Sequence, residues 1–219
     1  MFGLMSQFKR PTGFRGRLVA ALMNRNHKSL SLWGLSHVNF DPDCVILDVG
    51  CGGGKTVSRL AQRAGQGKVF GIDHSADMVK YAQKVNRKLV AENRVEIIEG
   101  SVEKMAFPDN FFDIVTAFET YYFWPSLSDA LQEIKRVLKP NGKLLIVNEM
   151  VKDGVYEFEH AKLIEKTHVQ LFLLEEIRSI IYSVGFADVQ IITKSESPWN
   201  AFLAQKTTSI DKKGKVVPS

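Results

Sequence analysis

The sequence contains few cysteines: Cys44 and Cys51 are the only two among its 219 residues. Two cysteines cannot build a framework of several disulfides or a four-cysteine zinc site. One begins an apolar run and the other lies in a glycine-rich stretch, so we expect no disulfide. The five histidines show none of the paired spacings that are typical of metal ligands, so we also expect no metal.

Long apolar runs are absent as well. No run approaches the about 18–20 residues that a membrane-spanning helix needs. At the N-terminus the positive charges follow the apolar residues instead of preceding them, which is unlike a secretory signal peptide. These features favour a cytoplasmic protein.

Acidic residues are missing from the first 40 positions. Those positions carry six Lys and Arg side chains and no Asp or Glu, whereas the remaining residues carry 23 basic and 24 acidic side chains. The positive charge therefore belongs to the N-terminal segment and not to the rest of the chain. Because the remainder has no net basic character, we expect no nucleic-acid partner.

Apolar runs of strand length alternate with segments of helical periodicity along the chain. This alternation predicts a doubly wound α/β fold, with a mostly parallel seven-stranded sheet and helices on both faces. The predicted strands are 44–49, 68–73, 95–100, 111–118, 143–150, 186–193 and 199–205.

The stretch "VILDVGCGGGKTV", residues 45–57, places a glycine-rich loop directly after the first predicted strand. Gly50, Gly52 and Gly54 have the spacing G-x-G-x-G. Lys55 stands where the dinucleotide motif needs its third glycine, and the spacing is also one residue short of a P-loop. The loop lies at the carboxyl end of a strand, where open α/β sheets bind ligands.

An aspartate, Asp73, ends the second predicted strand nineteen residues after Gly54. A carboxylate in this place can accept hydrogen bonds from the two hydroxyls of a ribose. A glycine loop, a helix N-terminus and a ribose-binding acid together describe a nucleoside with a small charged tail. S-adenosylmethionine has this shape.

Four stretches resemble the successive motifs of the class I S-adenosylmethionine-dependent methyltransferases. They are "ILDVGCGGG", "GIDHS", "VEIIEGSVEKMAFPDNFFDIV" and "RVLKPNGKLLIVNE", and they occur in the family's order. The resemblance covers about residues 40–205 and is greatest to the small-molecule group that includes the quinone-precursor C-methyltransferases. It implies a Rossmann-like methyltransferase fold, with S-adenosylmethionine as cofactor and S-adenosylhomocysteine as product.

The resemblance also implies a set of cofactor-binding residues. In the family, the glycine loop lines the methionine part of the cofactor, and the acid at the end of the second strand holds the ribose. The residue after that acid and a pair of residues after the third strand border the adenine. Ser101 departs from the family, which often has an Asp there. The matching residues are Asp48, Gly50, Cys51, Gly52, Asp73, His74, Ser101, Val102 and Phe118, the last facing the reactive end.

The stretch "FETYYFWPS", residues 118–126, follows the fourth predicted strand, where this fold places the methyl acceptor. Its aromatic density suits an apolar or planar acceptor, or a cation held on ring faces. We predict Glu119 and Tyr122 as catalytic residues, and His27, Tyr121 and Tyr122 as residues of the substrate pocket. The alternative for Phe123 or Trp124 is that it packs beneath the next helix.

The basic N-terminal segment has apolar residues at helical spacing, with arginines opposite them. We predict that residues 1–36 form a helical lid over the acceptor, residues 37–206 the methyltransferase domain, and residues 207–219 a flexible tail. The alternative for the N-terminal helix is peripheral contact with an anionic membrane.

The sequence thus predicts in-line transfer of a methyl group from S-adenosylmethionine to a small, apolar or aromatic molecule. Two alternatives remain open. The basic N-terminal segment could serve an RNA or protein methyltransferase, or the chain could bind the cofactor without catalysis. The oligomeric state is left open.

Overall fold

The computed structural model describes residues 27–152 and 169–207, together with the backbone of 209–210 and 216–217. None of the helices in this described part has the length and hydropathy of a membrane span. The helices are α1 (Lys28–Leu35), α2 (Lys55–Arg63), α3 (Ala76–Val85), α4 (Arg87–Ala91), α5 (Leu127–Val137) and α6 (Leu174–Ser183), with a 3-10 turn at Tyr121–Phe123. The strands are β1 (Ile46–Val49), β2 (Val69–Asp73), β3 (Val95–Glu99), β4 (Phe112–Phe118), β5 (Leu138–Asn148), β6 (Phe186–Thr193), β7 (Asn200–Lys206), β8 (Ser209–Ile210) and β9 (Val216–Val217).

Seven strands form one sheet in the order β3-β2-β1-β4-β5-β7-β6. The first five strands are parallel, and β7 runs antiparallel to both of its neighbours. This confirms the predicted α/β fold with a mostly parallel seven-stranded sheet. The strand order reverses between β1 and β4, so the carboxyl ends of these two strands open a crevice beside the glycine loop.

The sheet is covered on both faces. One apolar cluster joins it to α5 and α6, and a second joins it to α1, α2 and α3. Every residue of β1 and β2 is buried. Burial on both faces explains why these strands are nearly continuous apolar runs and do not alternate with polar residues.

The start of β5 differs from the prediction. We expected Pro140 and Gly142 to separate a helix from a strand beginning at residue 143, but β5 begins at Leu138, directly after α5. Leu138 already pairs with Phe112, and a register shift follows before the next pair, Ile114 with Lys143. Pro140 lies in the bulge between these two pairs. Because the ladder is interrupted there, the missing N–H of the proline breaks no hydrogen bond between the strands.

The predicted helix over 76–91 is divided at Asn86 into α3 and α4. The Asn86 side-chain amide donates hydrogen bonds to the carbonyl oxygens of Ala82 and Gly54, each at 2.9 Å. The break therefore ties the end of α3 to the glycine loop. A periodic apolar pattern alone does not reveal such a break.

Helix α1 belongs to the core of the domain. Leu30 and Leu35 are 1% and 0% exposed. Gly34 lies against Val147 of β5, since a Cβ atom added to Gly34 would be only 2.5 Å from Val147 Cγ2. Residues 28–35, which we assigned to a lid, thus pack against the sheet. Residues 1–26 of the predicted lid and 153–168 of the predicted helical region lie outside the described residues.

The packing of α1 generates a stability prediction. We expect Leu35→Ala to lower the free energy of unfolding by about 2–5 kcal/mol, because the truncation leaves a cavity in the core. Leu32 lies on the same helix but is 42% exposed. Leu32→Ala should therefore change the free energy of unfolding by less than about 0.5 kcal/mol. Urea unfolding followed by circular dichroism measures both. Equal losses in the two variants would contradict the placement of α1.

Candidate active site

A cavity of about 370 Å³ opens at the carboxyl ends of β1, β2 and β4. The glycine loop forms its floor, α1 and α2 border one side, and the segment after β4 borders the other. Its lining includes His27, Leu30, Ser31, Asp48, Val49, Gly50, Cys51, Gly52, Gly53, Thr56, Arg59, Ile72, Asp73, His74, Met78, Gly100, Ser101, Val102, Phe118, Glu119, Thr120, Phe123, Trp124 and Pro125.

Three glycines of the loop have left-handed backbone conformations. The φ angles of Gly50, Gly52 and Gly54 are 67°, 49° and 74°, a region in which side chains are strained. A Cβ atom on Gly50 would also collide with the Thr120 hydroxyl. At Gly52 the nearest atom to such a Cβ would be the Gly50 carbonyl oxygen at 4.0 Å, so the loop has open space above it. The open space suits a ligand that approaches the backbone closely.

Asp73 is 7% exposed and fastens the glycine loop to the second strand. Its Oδ2 accepts a hydrogen bond from the Gly52 N–H and its Oδ1 one from the Ser75 N–H, both at 2.9 Å. Burial raises the pKa of Asp73, and these hydrogen bonds oppose the rise. Each oxygen can accept a second hydrogen bond, so the carboxylate can hold the loop and a ligand together.

Ser75, not Asp73, caps the helix that follows. Its hydroxyl oxygen accepts a hydrogen bond from the Met78 N–H. His74 lines the cavity with a half-exposed side chain, and its Nδ1 lies 3.7 Å from Asp73 Oδ1. Ser101 and Val102 line the same end of the cavity, as the resemblance implied, and the Ser101 hydroxyl accepts a bond from the Glu103 N–H at 3.3 Å.

Asp48 is buried in the wall of the cavity, and only 2% of its surface is exposed. Its Oδ1 accepts a hydrogen bond from the Thr116 hydroxyl of β4 at 2.8 Å. Burial raises the pKa of Asp48 to about 7, while the hydrogen bond from Thr116 and the positive charge of Arg59 oppose this rise. Asp48 therefore joins β1 to β4 and presents a carboxyl group of variable charge to the cavity.

Arg59 is a lining residue that the sequence reading missed. It lies on α2 one helical turn from Thr56, which also lines the cavity. This i, i+3 pair in the first turns after the glycine loop is the signal that could have identified it. It is the only Lys or Arg among the lining residues that the structure describes.

Glu119 follows β4 directly and lines the cavity. Its backbone is left-handed, with φ at 56°, and the residue is 6% exposed. Its Oε2 accepts a hydrogen bond from the Tyr122 hydroxyl at 2.8 Å and its Oε1 one from the Glu149 N–H at 2.6 Å. Burial raises the pKa of Glu119 to about 8, and the negative charge of Glu149 adds to the rise.

The aromatic residues after β4 are distributed differently from the prediction. Tyr121 and Tyr122, which we predicted in the substrate pocket, belong to the apolar core and are absent from the cavity lining. The Tyr121 hydroxyl donates to the Met150 carbonyl oxygen at 3.0 Å. Phe123 and Trp124, which we considered for packing, do pack with this core, and they also line the cavity. The 3-10 turn at Tyr121–Phe123 holds the two tyrosines buried.

His27, which we predicted in the substrate pocket, borders the cavity at the start of α1. Its Nε2 lies 3.7 Å from Glu149 Oε1. Burial lowers the pKa of His27, and the charge of Glu149 opposes the change. Glu149 follows β5 directly and was not identified from the sequence, although it ends the last of the four quoted motifs.

Comparison with known proteins assigns the family. Residues 47–146 match a family model described as a methyltransferase domain. The chain is 30% identical over 129 residues to the uncharacterized methyltransferase YdaC of Bacillus subtilis, covering 59% of this chain and 69% of YdaC. The chain belongs to the S-adenosylmethionine-dependent methyltransferase family.

One further relative and one solved structure are also similar to this chain. The demethylmenaquinone methyltransferase of Lactiplantibacillus plantarum is 35% identical over 121 residues, covering 54% of this chain and 51% of that protein. A solved S-adenosylmethionine-dependent methyltransferase from Aquifex aeolicus has the same fold, with a TM-score of 0.70 at 22% identity, covering 86% and 97% of the two chains. The chain spans about half the length of most of the curated relatives that it matches.

The buried Asp48 of this methyltransferase generates a pH prediction. Its pKa is about 7 in the folded chain against an ordinary value of 3.8. The folded state therefore binds more protons than the unfolded state between about pH 4 and pH 7, and stability falls as the pH rises through this window. The free energy of unfolding of the parent chain should therefore fall between pH 5 and pH 8. In Asp48→Asn this fall should be smaller by about 3 kcal/mol.

Urea unfolding of the ligand-free chain at several pH values measures this difference. Asp41→Asn, at an exposed position before β1, is the control and should keep the parent profile. Glu119 and Asp73 are present in both variants, so the comparison isolates the part of the pH dependence that requires the Asp48 carboxyl, including its repulsion by Asp73. A profile of Asp48→Asn parallel to that of the parent would show that Asp48 does not cause the dependence.

Proposed function

We propose that this chain transfers a methyl group from S-adenosylmethionine to a small molecule with an apolar or aromatic body. The observation that carries the proposal is the shape of the cavity. Asp73 ends β2, whereas Phe118, Phe123 and Trp124 lie at or after the end of β4, on the other side of β1 and its glycine loop, and all of them line the cavity. The relative named as a demethylmenaquinone methyltransferase supports an acceptor with a planar ring.

The predicted cofactor residues form one surface, which supports their assignment. The Asp73 carboxylate would accept hydrogen bonds from the ribose hydroxyls, and His74, Ser101 and Val102 would border the adenine. When bound, the cofactor supplies an electrophilic methyl group on a sulfonium. Arg59 would hold the carboxylate of its amino-acid part, since a guanidinium pairs well with a carboxylate.

The residues at the acceptor end would align the acceptor and exclude water, which is most of what this displacement needs. Phe118, Phe123 and Trp124 supply apolar and aromatic surface. Glu119 is the carboxyl group at this end, and the Tyr122 hydroxyl holds it in place. We keep these two as the predicted catalytic residues, with Glu119 contacting the acceptor and Tyr122 acting as the positioning residue.

We also propose that the segment before α1 closes the acceptor end. Its support is that His27, Leu30 and Ser31 border the cavity at the point where this segment enters the domain. Helix α1 itself is core, and residues 1–26 of the predicted lid lie outside the described residues. Two free, buried cysteines are compatible with a cytoplasmic location, which we propose as well.

Methyl transfer is tested with S-adenosylmethionine carrying a labelled methyl group. We expect label to enter demethylated quinones or phenols from a panel, and not RNA or protein. Asp73→Ala should lower transfer at limiting cofactor and weaken cofactor binding by about 2–4 kcal/mol, since the ribose loses a charged acceptor. Binding of NAD without any response to S-adenosylmethionine would overturn the proposal.

The role of Arg59 has a separate test. We expect Arg59→Gln to weaken the binding of S-adenosylmethionine about tenfold, because a charge-assisted hydrogen bond is lost. Decarboxylated S-adenosylmethionine lacks the group that Arg59 would hold, so its affinity should stay unchanged. Lys55→Gln, at an exposed position of the same helix, is the matched control. Equal losses for both ligands in calorimetry would show that Arg59 acts on the fold and not on the carboxylate.

A further inference from the structure

Three side chains from distant parts of the chain converge beside the cavity, which His27 and Glu119 line directly. They are His27 at the start of α1, Glu119 after β4 and Glu149 after β5. One nitrogen of His27 and one oxygen of each carboxylate lie within 4.8 Å of one another. They form one group of possible metal ligands, which the spacing of the histidines along the chain did not predict.

The sheet itself brings the two carboxylates together. Strands β4 and β5 are adjacent and parallel, and Phe118 pairs with Val147. The Glu119 N–H then donates to the Val147 carbonyl oxygen at 2.9 Å, and the Glu149 N–H donates to Glu119 Oε1 at 2.6 Å. The first residues beyond β4 and β5 are therefore fixed relative to each other by the backbone.

The Glu119 carboxylate is held in place but still has capacity to bind. Each of its oxygens accepts one hydrogen bond, from Tyr122 or Glu149, and a carboxylate oxygen can accept two. The left-handed backbone at Glu119 turns the side chain toward the cavity, which it lines. A fixed ligand of this kind suits a preorganised metal site.

The charges of the group are not balanced by the protein. Two carboxylates lie close together, and in the described part of the chain no Lys or Arg forms an ion pair with either of them. Their one basic neighbour is His27, whose Nε2 is 3.7 Å from Glu149 Oε1. Neighbouring acids in a poorly solvated place require a cation or a proton.

The donor set decides between cations. One imidazole nitrogen and two carboxylate oxygens suit Zn²⁺, which often has three protein ligands and an open position. Mg²⁺ prefers oxygen ligands and an octahedral shell of waters, so it should bind less tightly. Around tetrahedral Zn²⁺ the ligand atoms lie about 3.4 Å apart. The His27–Glu149 distance is near this value, and both side chains are partly exposed and free to adjust.

We propose that His27, Glu119 and Glu149 bind a divalent transition-metal ion, with Zn²⁺ favoured, at the acceptor end of the cavity. Phe118 and Trp124 line the same cavity as His27 and Glu119, and an ion held there would supply a Lewis acid for an oxygen atom of the acceptor. That use of the ion depends on the proposed function. Binding of the ion does not, because the three ligands belong to this chain alone.

The test is calorimetry of the full, untagged chain with zinc chloride after treatment with a chelator, without cofactor or acceptor. We expect one Zn²⁺ per chain and weaker binding of Mg²⁺. Glu149→Gln and His27→Gln should each lower the zinc affinity at least tenfold. Both positions are partly exposed, so the variants should fold, which circular dichroism checks.

Two control variants separate this site from scattered surface binding. Glu175→Gln, at an exposed position of α6, and His37→Gln, just after α1, should bind zinc as the parent does. No zinc binding by the parent would overturn the proposal, and so would equal affinities in all four variants. Tighter binding of Mg²⁺ than of Zn²⁺ would also overturn it. A chain that binds zinc but transfers no methyl group would refute the proposed function and leave this site standing.

Discussion

The carboxylate of Asp73 is the contact on which the arrangement of the cofactor end depends. It accepts hydrogen bonds from Gly52 in the loop after β1 and from Ser75 at the start of α3. The loop after β1 and the start of α3 thus meet at one side chain. Glycine adopts the left-handed conformation readily, and the hydrogen bond from Gly52 to Asp73 helps to hold the loop in this one arrangement. A residue expected to bind a ligand also organises the site.

Electrostatics give the cavity a definite polarity. Asp48, Asp73 and Glu119 all line it, and burial raises the pKa of each. Arg59 provides positive charge on one side. A ligand with a cationic centre and a terminal carboxylate complements this pattern, and S-adenosylmethionine carries both. The same burial costs stability without a ligand, so ligand binding should stabilise the fold by linkage.

Helix α1 connects the fold to the acceptor end. Its leucines complete the core against the sheet, while His27 and Ser31 border the cavity. A substitution on this helix can therefore affect stability and acceptor binding through different faces. Because α1 contributes to both the core and the cavity, the described part of the N-terminal segment belongs to the domain. It does so although its composition differs from that of the rest of the chain.

The sequence by itself determined the α/β sheet, the glycine loop and Asp73. These features depend on local apolar runs, on backbone needs that only glycine meets, and on a short spacing between two neighbouring strands. Only the tertiary structure decided which aromatic residues after β4 face the cavity, because Tyr121 and Phe123 look alike in a short aromatic run. It also decided that Arg59 reaches the cavity, and that His27 and Glu149 meet. Their encounter depends on how α1 packs against β5, since contacts between residues more than a hundred positions apart leave no local pattern in the chain.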